Sequence, residues 1–148
     1  MEERWGMADV ITSAQMFKAI QYMCDTIEQE KDYLSDLDGA IGDGDHGVNM
    51  AKCFRQVKEK LPESKGQDIG IILKNVGMVV INSVGGAMGA LYGTMFLRLA
   101  QEPTGKTEVN LSDLVRMFEA AEQGIRDLGK AEVGDKTLLD TIAPAVSA

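Results

Sequence analysis

The sequence predicts an all-α fold, an antiparallel helical bundle with short connections, and three observations carry that reading. Apolar residues recur at steps of three and four along most of the chain, as amphipathic helices require. No segment sustains the two-residue alternation of a half-buried strand. Glycine, proline and short polar stretches interrupt the helical pattern where helix hairpins would turn.

The first helix shows Met16, Phe17, Ile20, Met23 and Ile27 on one face, behind Thr12 or Ser13 as N-cap. Met50, Phe54, Val57 and Leu61 repeat the spacing, and Pro62 blocks continuation. Asp68 caps a third helix bearing Ile69, Ile72, Leu73, Val76, Val79 and Val80. Val79-Val80-Ile81 is β-branched, but its flanks read as helix. The fourth carries Met88, Leu91, Tyr92, Met95, Phe96 and Leu99, and the polar loop Gln101 to Asn110 follows. The fifth is the cleanest: Leu114, Phe118, Ala121, Ile125 and Leu128 behind Ser112, with Gly129 as the C′ residue. A sixth begins near Thr137 and carries Leu138, Leu139 and Ile142, with Pro144 as a kink.

A chain of 148 residues suits one domain with one core, and a hydrophobic content of 45% is ordinary for a globular protein. The net charge of −8 argues against binding a nucleic-acid backbone, which needs a basic face. Cys24 and Cys53 lack metal spacing and read as small core residues. The acidic N-terminus has no apolar signal region and no run is long enough to cross a membrane, so a cytoplasmic protein is expected.

Chemistry concentrates in Leu37-Asp38-Gly39-Ala40-Ile41-Gly42-Asp43-Gly44-Asp45-His46-Gly47-Val48-Asn49-Met50, which holds three carboxylates, four glycines and the only histidine. Two carboxylates 5 Å apart repel by about 3 kcal/mol at an effective dielectric near 20. Such clustering on a tight loop makes sense chiefly if a hard divalent cation binds, with water and phosphate completing its shell. It is not an EF-hand, because the third acid is absent and Phe54 stands where Glu is needed. A second glycine cluster, Ser83 to Thr94, suits phosphate at a helix N-terminus, although no P-loop is present. A close helix crossing would explain it equally well. The third, Gly129 to Asp140, again joins two helices. In an antiparallel bundle these connections follow the first, third and fifth helices, so all three converge on one mouth.

These motifs resemble the nucleotide-binding L-subunit family of dihydroxyacetone kinases. The likeness rests on Asp38-x4-Asp43-Gly44-Asp45-His46-Gly47-x-Asn49-Met50, Gly85-Gly86-Ala87-x-Gly89-x-Leu91-Tyr92-Gly93 and Gly134-Asp135-Lys136-Thr137. It implies an eight-helix antiparallel barrel, about six helices of which are covered here, holding ADP or ATP and two Mg²⁺ ions at one end. By residue match, Asp38, Asp43 and Asp45 are the metal ligands. His46, Gly47, Val48, Asn49, Ala87 and Met88 meet the nucleotide's phosphate side, and Gly129 and Leu138 its adenine side. No residue is assigned as nucleophile or base. The implied partners are a K subunit carrying dihydroxyacetone or a related short ketose and a phosphohistidine-bearing M subunit of the phosphotransferase system. Neither nucleic acid nor membrane is an expected partner.

Residues 1–11 are expected as an N-terminal segment and 12–148 as the nucleotide-binding domain. The family usually has Ser at position 88 and Pro at 90, where this chain has Met and Ala. Its domain continues beyond position 148 into two helices and a lid, so the first and last helices are expected to leave apolar faces wet. Two other readings stay open: a nucleotide-bound regulatory subunit without turnover, and a domain of the fatty-acid-kinase type.

Overall fold

The computed structural model describes residues 10–148. Among these, three helices begin at side-chain caps. Helix α1 (Ser13–Gln29) starts at Thr12, whose hydroxyl accepts from the Gln15 N–H while the Gln15 side chain accepts from the Thr12 N–H. Helix α2 (Lys31–Gly39) follows after Glu30 alone. The Glu30 N–H donates to the Thr26 carbonyl and the Leu34 N–H to that of Glu30, so α1 and α2 act as one interrupted rod. Helix α3 (His46–Lys60) ends in the 3-10 turn Leu61–Ser64, which contains Pro62. Asp68 caps α4 (Ile69–Ser83) by accepting from the Ile71 N–H, and a glycine turn leads into α5 (Gly86–Leu99). Helix α6 (Leu111–Gly129) starts at an Asn110–Asp113 capping box, and α7 (Leu139–Ser147) contains Pro144.

Counting α1 and α2 as one arm, successive arms run antiparallel, as cross-helix contacts fix. Arg55 pairs with Glu28 and Lys58 with Asp25 between α3 and α1. Asn75 bonds Ser64, and Ser83 bonds Gln56, between α4 and the α3 arm. Gly93 of α5 packs on Ile81 of α4, and Gly124 of α6 on Arg98 of α5. The start of α3, the α4–α5 turn and the α6–α7 connection therefore share one end. The opposite end is closed by strands β1 (Val10–Thr12) and β2 (Glu108–Asn110), paired antiparallel with Ile11 opposite Val109.

The core lies between α1, α3, α4, α5 and α6. Phe54 and Phe96 are nearly inaccessible, and their rings sit 6.3 Å apart at 57°, a tilted aromatic pair. Around them are Ile20, Ile69, Ile72, Val76 and Met117, with Cys24 and Cys53 among them. A second cluster joins Ile125 to Leu139 and Ile142, with Leu91, Met95 and Leu138 against it.

The all-α bundle is as expected, and the structure corrects several details. Helix α2 has no counterpart in the periodicity, because its nine residues bury no side chain fully. Asp38 consequently sits in the last turn of a helix rather than in a loop. Strands of three residues are too short to alternate, which hid β1 and β2. The α6 cap is Asn110 rather than Ser112, and the left-handed residue after it is Lys130 (φ 51°) rather than Gly129. The outer helices are not left wet: Ile20, Leu139 and Ile142 are buried, and Met16, Met23, Ile27 and Leu138 pack against the two clusters. Of the expected N-terminal segment, residues 1–9 lie outside the described residues, while Val10 and Ile11 pair with β2.

Candidate functional site

Asp38, Asp43 and Asp45 come together at the α2–α3 junction, each offering a carboxylate oxygen within 4.8 Å of the others. Local backbone geometry explains how. The Ile41 and Gly42 N–H groups both donate to the Asp38 carbonyl, at 3.2 and 2.6 Å, folding the chain back over the end of α2. A Cβ at Gly42 would come within 2.5 Å of Asp38 Oδ1, so a side chain there would displace that carboxylate. Gly44 then turns with φ 75°, and α3 begins. Asp38 Oδ2 accepts from the His46 N–H at 3.2 Å, tying the two helices through a ligand candidate.

Asp45 precedes α3 but its side chain caps nothing, and α3 has no acid in its first turn. Among the described residues, none of the three carboxylates joins an ion pair within 4.0 Å, so their charge is uncompensated by protein cations. Trans oxygens on an octahedral Mg²⁺ stand about 4.2 Å apart. Cis oxygens stand about 2.9 Å apart, so the three carboxylates, within 4.8 Å of one another, are close enough to converge on such a cation by side-chain movement.

Gly47 lets α3 approach α2 closely. A Cβ there would collide with the Lys31 carbonyl and with Ser35 Oγ, itself buried without a hydrogen-bond partner. Val48 is exposed and Asn49 half-buried on the same first turn, where the Asn49 N–H already donates to the Asp45 carbonyl.

At the same end, α5 opens on Gly85 and Gly86 (φ 69°), with no side-chain cap. Its first-turn N–H groups carry the positive end of the helix dipole, which favours an anion. Ala87 is exposed. Met88 is half-buried and packs on the main core, so it offers the site its backbone rather than a side chain pointing at phosphate.

The third connection is held by a residue that the sequence reading passed over. Asp140 accepts from the N–H groups of Gly134 (2.7 Å) and Thr137 (3.0 Å), while the Thr137 hydroxyl accepts from the Leu139 N–H. These backbone donors, Gly134 first, hold the Asp140 carboxyl below its ordinary range. The signal was legible: Thr137-x-x-Asp140 is a capping-box pattern. Gly129 is exposed and lies over Leu91, and Leu138 is half-buried against the second apolar cluster.

Comparisons with known proteins bear on the chain's family and fold. The sequence model of the DAK2 domain matches residues 40–148. The chain is 48% identical over 122 residues to the ADP-binding subunit DhaL of the PEP-dependent dihydroxyacetone kinase of Escherichia coli, covering 82% of this chain and 58% of that protein. It is 43% identical to the corresponding subunit of kinase 2 of Listeria innocua, covering 93% of this chain and 64% of that one. It thus spans about three fifths of these relatives' length. The dihydroxyacetone kinase of C. freundii, solved in complex with AMP-PNP and Mg²⁺, superimposes with a TM-score of 0.78 at 20% identity, over 99% of this chain and 27% of that one. At that identity the match speaks for the fold.

Proposed function

Because this chain belongs to the DAK2 domain family, we propose that it is the nucleotide-binding phosphoryl-transfer subunit of a dihydroxyacetone kinase dependent on the phosphotransferase system. One observation carries the reading beyond the family. Three carboxylates that join no ion pair among the described residues stand at the same end as two helix N-termini without side-chain caps. Acids and backbone donors at one mouth fit a ligand that is itself anionic and metal-bound, as a nucleoside diphosphate or triphosphate is.

In this reading Asp38, Asp43 and Asp45 hold two Mg²⁺ ions. The ions supply charge neutralisation along the phosphate chain during in-line transfer. His46, Gly47, Val48 and Asn49 at the start of α3, and the Ala87 and Met88 amides at the start of α5, position the phosphates. Gly129 and Leu138 flank the adenine. The acceptor is dihydroxyacetone or a related short ketose on a K subunit, and a phosphohistidine-bearing M subunit recharges bound ADP. The protein works in the cytoplasm; among the described residues no helix is long and apolar enough to cross a membrane.

Calorimetry with ADP tests the site. Binding is expected to require Mg²⁺ and to be weak without it, because the bare carboxylates repel phosphate. Equal affinity with and without the metal would overturn the assignment. Mg²⁺-dependent ADP binding with no transfer to dihydroxyacetone, K and M subunits being present, would instead establish the regulatory reading.

A further inference from the structure

Among the described residues, the left-handed backbone conformation is taken by five glycines and two lysines, Lys130 (φ 51°) and Lys136 (φ 60°). A side chain in that conformation is strained where glycine is not. Both lysines lie in the connection from α6 to α7, at the end of the bundle where Asp38, Asp43 and Asp45 gather. This connection runs beside the start of α5. A Cβ on Gly129 would touch Leu91, and Leu138 packs into the same apolar cluster as Leu91.

Lys130 has a local reason for its place. It directly follows α6, its N–H donates to the Arg126 carbonyl, and the negative end of a helix dipole favours a cation. Lys136 has no such reason. It stands three residues before α7, whose N-terminal end is positive and disfavours a cation. It is exposed and joins no ion pair among the described residues. The Gly134 and Thr137 N–H groups, on either side of it, donate to the Asp140 carboxylate and hold the strained backbone in place. Glycine would fit this position at less cost, so the side chain is what the position keeps.

Charge decides what that side chain meets. In the function proposed above, the phosphate chain and three carboxylates carry more negative charge than two Mg²⁺ ions cancel. The other connections at this end, residues 40–45 and 84–85, contain no lysine or arginine. We propose that the Lys136 ammonium pairs with the phosphate oxygens that the metal leaves uncompensated, a reading that rests on that function. Lysine suits the task as a compact point charge on a flexible stem.

The test uses Lys136→Gly, Lys136→Met and Lys136→Arg, with calorimetry of ADP in Mg²⁺ at several salt concentrations and thermal melts of each variant. Lys136→Gly is expected to melt no lower than wild type, because it relieves the strain, and yet to bind ADP about tenfold more weakly or worse. Lys136→Met should lose as much affinity. In both, the salt dependence of binding should flatten, since one screened charge contact is gone. Lys136→Arg should stay within about threefold of wild type. Wild-type ADP affinity in the Gly and Met variants overturns the proposal. So does a loss that arginine fails to restore, weaker binding with an unchanged salt dependence, or a lower melting temperature for Lys136→Gly, which would give the lysine a structural reason. A wild-type chain without Mg²⁺-dependent ADP binding would overturn the functional reading itself, and this proposal with it.

Discussion

The two ends of this bundle are built from similar residue types and treat them in opposite ways. At the β1–β2 end, acids are matched: Glu102 and Asp113 each meet both Lys106 and Arg116. The helix N-termini there, those of α1, α4 and α6, all have side-chain caps. At the other end Asp38, Asp43 and Asp45 join no ion pair among the described residues, and α3 and α5 start without caps. One end satisfies its own polar groups and contributes to stability. The other leaves charge and donors unmatched among the described residues, as the proposed binding site requires.

If that contrast is right, mutations should separate by end. The largest effect is expected from Asp43→Asn with Asp45→Asn, which should weaken Mg²⁺-dependent ADP binding by about a thousandfold, roughly 4 kcal/mol. The same variant should melt no lower than wild type, because it removes mutual repulsion. A matching fall in melting temperature would mean that these acids are structural. Next is Gly47→Ala, whose methyl group meets the Lys31 carbonyl and must push α3 from α2. It should cost about 2–3 kcal/mol, as overpacking does, in chemical denaturation. It should also lower ADP affinity, because the first turn of α3 moves.

Asn110→Ala sharpens the comparison from the opposite end. Losing the α6 cap should cost about 1 kcal/mol of stability and leave ADP affinity intact. The smallest effect per group is the acid response. Hydrogen bonds from Arg55, Arg116 and Lys106 hold the carboxyls of Glu28, Glu102 and Asp113, respectively, below their ordinary values. Backbone donors do the same for Asp140. A depressed folded-state value means stability that is present above the unfolded carboxylate range, near about pH 4, and lost as pH falls through the folded values. Thermal melts from pH 7 downward should decline only in that acid range, and a decline that begins nearer neutrality would overturn the assignment.

How much of this was legible in the sequence depended on which physical signal each part leaves. Helices α1, α4 and α6 announce themselves because a cap precedes a periodic apolar face, and their cores fall where the spacing puts them. Helix α2 leaves no such signal: Leu34 is half-buried, Tyr33 and Leu37 face outward, and packing comes from the backbone at Gly47 instead. That Asp38, Asp43 and Asp45 come together could be read from the acidic motif, because like charges on glycine turns need a reason. That Asp38 rides on a helix, eight residues from the amide it accepts, could not. Nor could the pairing of β1 with β2, nearly a hundred residues apart in sequence. The mistaken expectation of wet outer helices came from counting helices rather than faces: Leu139 and Ile142 find Ile125, with Leu91 and Met95 packed against them.

The bond from the His46 amide to Asp38 Oδ2 gives this site a built-in spectroscopic gauge. A cation drawing electron density from that carboxylate weakens it as an acceptor, and the amide proton at the head of α3 feels the change at once. Its resonance should move upfield as metal and nucleotide load together, while amides of β1 and β2 stay still. In the ¹⁵N-labelled protein, occupancy of the proposed site would then be readable at one backbone proton without an enzyme assay.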